Sequence, residues 1–308
     1  MRGVWAGAGI RLLGFGHYYP ATVQPNPPEV AAEVGVRSRY VASAAETVTA
    51  MAVRATEAAL RAAGTSADEL DLLVLANCTT RRYFPETAPQ VATELGSARA
   101  LAFDVCGGCA GWVHGVQLAA ALLRTTPGAR RAVVVASEQF SRRGRPGSRS
   151  ALVVGDAAGA VALGREAGAE DGLLDSVLHT SGGDADACVI EEENGLLRSR
   201  RAMVELARKT QLGAVDELLG RNGVTLHDID WVVPHPGTHA VHTAFTAELD
   251  LADDRVVTNF ATAGNTASAT IPTTLSENVA IGRFRPGQLL LTPTAGAGWY
   301  SGGLLFRL

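Results

Sequence analysis

A thiol, an imidazole and a carboxamide, at Cys109, His235 and Asn265, each sit in a short segment marked by glycine or proline. Cys109 lies in Phe103-Asp104-Val105-Cys106-Gly107-Gly108-Cys109-Ala110-Gly111-Trp112, between a strand-like run and a helical pattern that extends to about Arg124. A thiol at a helix N-terminus faces unpaired amides and the positive end of the helix dipole, which favour the thiolate and are expected to lower its pKa. The glycines before it permit a sharp turn. Read alone, a cysteine among small residues is equally a common core filler.

His235 follows the apolar run Trp231–Pro234 and is held between Pro234 and Pro236. A ring fixed in this way aims one nitrogen at a thiol or a substrate oxygen, whereas the bland alternative is a capping or solvated loop histidine. His235, His239 and His242 also form an H-x3-H-x2-H spacing, but Pro236-Gly237 argues against a helix starting at His235, so no metal site is expected. Asn265, in Ala263-Gly264-Asn265-Thr266-Ala267-Ser268-Ala269, has an amide that can donate to a developing oxyanion without carrying charge. Its bland reading is a helix cap.

The C-terminal stretch Ala295-Gly296-Ala297-Gly298-Trp299-Tyr300-Ser301-Gly302-Gly303 allows backbone to approach a ligand closely. Gly298 is the expected partner of the Cys109 amide in an oxyanion hole, and a glycine-rich turn between strands is the alternative. Gly155-Asp156-Ala157-Ala158-Gly159-Ala160 reads as close-packed backbone. Gly7-Ala8-Gly9 and Gly14-x-Gly16 do not make the spaced glycine fingerprint of a dinucleotide site.

The elements that must bring these residues together occur twice. A helical pattern over Glu46–Ala63 is followed by Ser66-Ala67-Asp68-Glu69-Leu70-Asp71 and the strand Leu72–Ala76. About 160 residues later, a helix over Arg201–Leu219 is followed by Thr225-Leu226-His227-Asp228-Ile229-Asp230 and the strand Trp231–Val233. The strand Ala100–Val105 leads to Cys109, as the strand Arg255–Asn259 leads to Asn265, and the strands Ala132–Ala136 and Gln288–Thr292 follow. The repetition predicts two similar α/β halves, residues 1–165 and 166–308, packed about a pseudo-two-fold axis as a five-layered sandwich. Cys109, His235 and Asn265 then meet at strand carboxyl ends, where ligands bind in α/β sheets.

The chain has 308 residues, 47% of them hydrophobic, enough for a large core without staples. Its 27 basic and 31 acidic residues give a formal charge of −4, which offers no field for nucleic acid or an anionic membrane. The apolar runs Arg131–Ser137 and Gln288–Thr292 are strand-length, well short of the ~20 residues of a membrane span, and the N-terminus lacks an adequate signal core. A cytoplasmic protein is expected. Cys78, Cys106, Cys109 and Cys188 form neither a disulfide framework nor a paired zinc motif.

Four segments together, Asp104–Trp112, Gly155–Ala160, Trp231–His235 and Gly264–Ser268 with Arg285-Pro286-Gly287-Gln288, resemble the β-ketoacyl-acyl-carrier-protein synthase III family over most of the chain. The resemblance implies a homodimeric α/β thiolase fold. It implies that Cys109 takes an acyl group from a thioester and that a carrier-bound malonyl unit decarboxylates and attacks it, with His235 and Asn265 stabilising the enolate. No resident cofactor is implied, since phosphopantetheine arrives on the substrate as acyl-carrier protein or coenzyme A. Phe84 matches the family residue that reaches across the dimer into the neighbour's acyl pocket, and Trp112 and Cys106, which flank the nucleophile, are expected to shape the substrate pocket.

A degradative thiolase would carry a second cysteine in the C-terminal glycine-rich turn, and Gly296–Gly303 has none. The chain is also short for a plant-type polyketide synthase. Between Gly16 and Arg39 it is shorter than the family pattern, and Pro25–Val36 lacks the tryptophan and arginine that clasp the adenine of coenzyme A, which favours a carrier protein as donor. Ala240 replaces the family's docking arginine, whose role then falls to Arg81, Arg82, Arg142, Arg143 or Arg145, unless that loop is simply a solvated surface. The expected reaction is a decarboxylative Claisen condensation in polyketide or fatty-acid-derived biosynthesis. The alternative is an acyltransferase that delivers the acyl group to a hydroxyl, amine or second carrier, and a silent partner of another synthase is the third reading.

Overall fold

The computed structural model of the chain describes residues 3–80, 84–169 and 171–308, and in it the two repeating passages build two sheets of matching topology. The first comprises β1 (Ile10–Tyr18), α1 (Val48–Ala63), β2 (Leu72–Ala76), α2 (Ala88–Leu95), β3 (Leu101–Val105), α3 (Gly111–Thr125), β4 (Arg131–Gln139) and β5 (Asp156–Arg165). The strands lie in the order β1-β5-β4-β2-β3. β2 is parallel to β3 and β4, and β5 is antiparallel to β4 and β1.

The second comprises β6 (Gly172–Thr180), α4 (Met203–Asn222), β7 (Trp231–Val232), α5 (His239–Thr246), α6 (Thr270–Ala280), β8 (Leu289–Leu291), β9 (Thr294–Gly296) and β10 (Tyr300–Arg307). β10 pairs antiparallel with β6 on one side and with β8 and β9 on the other, and β7 is parallel to β8. Position by position this repeats the first sheet. The strand expected over Arg255–Asn259 is reduced to one parallel bridge, Val256 to Val232, because only Val256 and Val257 in that run are apolar.

The matching loops fold alike as well. Ser66 with Glu69, and Thr225 with Asp228, each close a reciprocal capping box that sets the chain before β2 and β7. Thr47 accepts the Ala50 amide at 3.1 Å to open α1, and left-handed Gly64 closes it.

Side-chain alternation within β2 and β4 shows why there are five layers. Leu72, Val74, Ala132 and Val134 enter the central core shared by both sheets, while Leu73, Leu75, Val133 and Val135 enter the core under α1 and α2. α1 and α2 therefore cover the outside of the first sheet, α3 and α6 lie between the sheets, and α4 and α5 cover the outside of the second. The middle layer takes one helix from each half. Two glycines permit the approach: a Cβ at Gly159 of β5 would stand 2.7 Å from the Thr273 nitrogen of α6, and one at Gly16 of β1 would collide with Ala55 and Ala59 of α1. Among the described residues no helix is long and apolar enough to cross a membrane.

Candidate active site

Cys109 leaves the end of β3 through a tight turn, Gly108–Ala110, that runs directly into α3. Gly108 has φ +52°, a conformation that favours glycine, and a Cβ on it would stand 3.0 Å from the Ala297 nitrogen. From the other side, a Cβ at Gly296 would stand 2.7 Å from the Cys109 nitrogen and 2.9 Å from that of Ala110. Any side chain at 296 would fill the space in front of the Cys109 amide. Gly298, expected to pair with the Cys109 amide, does not line the cavity: Gly296 and Ala297 do so beside Cys109, while Gly298 faces the Tyr300 ring.

The Cys109 thiol is half-buried, and its pKa is raised rather than lowered. Burial is the main cause, followed by Cys188 and Glu138 nearby, while its own backbone amide works weakly the other way. The amides at the helix start do not replace the hydration that the apolar wall removes, so the Cys109 side chain rests as the neutral thiol.

His235 is 2% exposed and anchored by its backbone: its N–H donates to the Pro293 carbonyl at 2.9 Å, and Gln211 Nε2 of α4 donates to its carbonyl at 3.2 Å. The ring Nδ1 has no hydrogen-bond partner among the described residues. Burial pushes the imidazole down to about 4, so near neutral pH it is uncharged.

Asn265 is bridged to Val154 at the boundary of the two halves, its N–H donating to the Val153 carbonyl at 2.8 Å. Its side-chain oxygen accepts the Ala267 amide at 2.8 Å, and Nδ2 donates to the Gly237 carbonyl, two residues past His235, at 2.9 Å. The turn holds Ala267 at φ +49°, a costly conformation for a residue with a Cβ. Asn265 thus shapes a turn rather than capping a helix, since Thr266 is the N-cap of the helical turn that follows, and it keeps a second amide hydrogen for a ligand.

Cys109, His235 and Asn265 wall one cavity of about 320 Å³. Val34, Phe140, Val154, Leu197, Met203, Val241 and Trp299 make most of the rest apolar, and Cys188 adds a second thiol. At its exposed rim Glu33 pairs with Arg149, and His239 lies nearby.

Other expected residues fall elsewhere. Trp112 is 1% exposed and belongs to the central core, because its position on α3 points between the sheets and away from the cavity. Phe84 is 89% exposed on this chain and lines no part of the cavity. Arg81 and Arg82 lie outside the described residues. Arg143 is buried and donates to the Thr79 and Gly195 carbonyls, which removes it from any docking surface, while Arg145 pairs with Glu191 at 2.9 Å and Arg142 is exposed. Among the described residues no group of three or more His, Cys, Asp or Glu could hold a metal.

Glu138 was not singled out by sequence reasoning. It is the penultimate residue of β4, is fully buried, and accepts bonds from Ser268, Thr79 and Cys78. The available signal was a carboxylate closing the apolar run Ala132–Ala136, a residue type almost never buried without partners.

Profiles of known families match most of this architecture. The profile described as 3-oxoacyl-[acyl-carrier-protein] synthase III matches residues 103–182, and that of its C-terminal region matches residues 219–308. The beta-ketoacyl-[acyl-carrier-protein] synthase III of Acidiphilium cryptum is 35% identical over 96% of this chain and 98% of its own length. The crystal structure of 3-oxoacyl-[acyl-carrier-protein] synthase III from Aquifex aeolicus superposes with a TM-score of 0.92 at 28% identity, covering 97% of this chain and all of that one. The priming beta-ketosynthase from the R1128 polyketide biosynthetic pathway superposes with a TM-score of 0.89 at 27% identity, covering 97% of this chain and 96% of that one.

Proposed function

Since the chain belongs to the 3-oxoacyl-[acyl-carrier-protein] synthase III family, we propose that it joins an acyl group held on Cys109 to the carbon of a decarboxylating malonyl-carrier protein. The observation that carries this reading is the convergence of Cys109, His235 and Asn265, from both halves of the chain, on one largely apolar cavity.

In the first step the Cys109 sulfur attacks the carbonyl of an acyl thioester and the departing pantetheine thiolate takes up the thiol proton by way of His235. The carbonyl oxygen becomes an oxyanion in the space that Gly296 leaves before the Cys109 amide. In the second step malonyl thioester enters, its terminal carbon–carbon bond breaks, and carbon dioxide leaves. The enolate oxygen receives hydrogen bonds from His235 and Asn265. Two neutral donors suit this charge: they stabilise it as it forms without binding the malonyl carboxylate in the ground state. The enolate carbon then attacks the acyl carbonyl, a carbon–carbon bond forms, and the Cys109 thiolate leaves and takes up a proton from solvent to restore the thiol.

No resident cofactor enters this scheme, because the pantetheine arm is delivered with each substrate. The Asn265 amide supports condensation over plain acyl transfer, which would call for a base at that position. Likeness to a polyketide priming ketosynthase, together with the absent adenine clasp over Pro25–Val36, supports a carrier-protein donor and a place at the start of a specialised polyketide or fatty-acid-derived pathway. The reading includes a homodimer in which Phe84, exposed on one chain, shapes the acyl pocket of the other.

Intact-protein mass spectrometry of wild type and Cys109→Ala, with a panel of acyl-carrier proteins and acyl-coenzyme A thioesters, tests it. The expected result is an acyl adduct absent from Cys109→Ala, which malonyl-carrier protein converts to a β-ketoacyl product with release of carbon dioxide. An adduct indifferent to malonyl but discharged by another acceptor makes the protein an acyltransferase. Absence of any adduct on a free Cys109 thiol refutes both.

A further inference from the structure

The buried carboxylate at the end of β4 is the most densely hydrogen-bonded titratable group beside the cavity. Glu138 Oε2 accepts from Thr79 Oγ1 at 2.8 Å, from the Cys78 amide at 3.1 Å and from Asn77 Nδ2 at 3.3 Å. Oε1 accepts from Ser268 Oγ and from the Cys78 thiol at 3.4 Å. Asn77, Cys78 and Thr79 follow β2 in the first half, whereas Ser268 closes the Asn265 turn in the second. One side chain therefore ties the two halves together where the candidate catalytic groups meet.

Ser268 also touches the nucleophile's helix. A Cβ added at Gly111, the first residue of α3, would stand 3.5 Å from Ser268 Cβ and 3.3 Å from Ala76 Cβ, so Ser268 is lodged between Glu138 and the helix start two residues after Cys109. Ala267, one residue before it, is held at positive φ while its amide bonds the Asn265 side chain. A turn with that backbone cost keeps its shape only where its surroundings over-determine it, and the Glu138–Ser268 bond is one such constraint.

Three cysteine thiols also feel this carboxyl group. Cys78, Cys106 and Cys109 are all raised, burial being the first cause of each, with Glu138 adding to it. Glu138 is itself raised by burial, against the lowering effect of Ser268, Thr79 and Cys78.

We propose that Glu138 is a positioning residue that, through Ser268, holds the Asn265 turn and the start of the Cys109 helix in register across the two halves. The inference rests on the condensation reading for the steps it affects. Loading of Cys109 needs the thiol and its amide, while decarboxylation needs Asn265 aimed at the enolate, so loss of Glu138 acts chiefly on the second step.

Full-length wild type, Glu138→Gln, Ser268→Ala and the double variant provide the test, each checked for an unchanged unfolding midpoint. Malonyl decarboxylation is expected to fall at least tenfold in each single variant, with KM for the acyl donor and the rate of Cys109 loading within threefold of wild type. The double variant should be no slower than the slower single one, because both act through one bond. Equal losses in loading and decarboxylation, multiplying losses in the double variant, or wild-type rates overturn the proposal. If Glu138→Gln does not fold, Ser268→Ala decides alone on the same criteria.

A separate readout distinguishes this failure from failure of the condensation reading. The pH dependence of iodoacetamide labelling of the Cys109 peptide needs no substrate. Releasing the start of the Cys109 helix should move the labelling midpoint by about half a unit in the same direction in Glu138→Gln and in Ser268→Ala, whereas a shift confined to Glu138→Gln is the charge effect alone and overturns the proposal. A wild type that loads acyl groups but never decarboxylates malonyl thioester sinks the condensation reading, and the labelling shift then stands as the test of Glu138. An unmoved midpoint overturns the proposal.

Discussion

At the scale of single residues, the candidate catalytic thiol and imidazole are both kept neutral by burial. His235 binds a proton near pH 6.5 in an unfolded chain but only near 4 in the native cavity. Between these values the unfolded state holds more protons, so the native state has its full stability above about pH 6.5 and loses it as the pH falls towards 4. The loss amounts to about 3 kcal/mol at roughly 1.4 kcal/mol per pH unit. Urea unfolding at pH 7 and pH 5 should show wild type losing more stability than His235→Asn, and equal losses would remove His235 as the source. The identities of Cys109, His235 and Asn265 were legible because each sits in a turn marked by glycine or proline. The direction of the Cys109 shift was not, because hydration lost to a wall assembled from both halves cannot be read from the local helix start. The contact of Gly296 with the Cys109 amide was equally hidden, since residues far apart in sequence make it.

At the scale of elements, a glycine in a strand and one in a helix have opposite meanings. A Cβ at Gly16 collides with backbone atoms of α1, while one at Gly213, exposed within α4, meets nothing within 4 Å. Gly16→Ala should therefore destabilise the protein by about 2 kcal/mol as α1 is forced off β1, and Gly213→Ala should stabilise it by about 1 kcal/mol through helix propensity alone. Urea midpoints that move together would contradict this account. The strands Leu72–Ala76 and Ala132–Ala136 were legible as buried strands from unbroken apolar runs, and the structure pairs them in parallel and lengthens the second to Arg131–Gln139. The strand over Arg255–Asn259 was inferred from its twin's position rather than from its own pattern, and there the structure departs from it. Trp112 was misplaced for a related reason: adjacency to Cys109 in sequence put it near the cavity, but on α3 it points into the central core.

At the scale of the whole molecule, the duplicated sandwich was legible from the order of elements, because the same succession of helix, cap and strand occurs twice. Assembly beyond one chain is a matter for solution measurement. Sedimentation equilibrium should give about 64 kDa, twice the 32.0 kDa chain, and Phe84→Ala should change the preferred acyl length while leaving that mass unchanged. A 32 kDa species at micromolar concentration would contradict the dimer. The doubled topology also bears on origins. Cys109 and Asn265 occupy equivalent turns in the two halves, and α3 and α6 are their equivalent helices. In a symmetric pair of separate half-length chains, a single gene would write both turns, so a thiol on one would mean a thiol on the other. Joining the two copies in one reading frame breaks that identity, and mutation can then keep the sulfur in one turn and the amide in its twin.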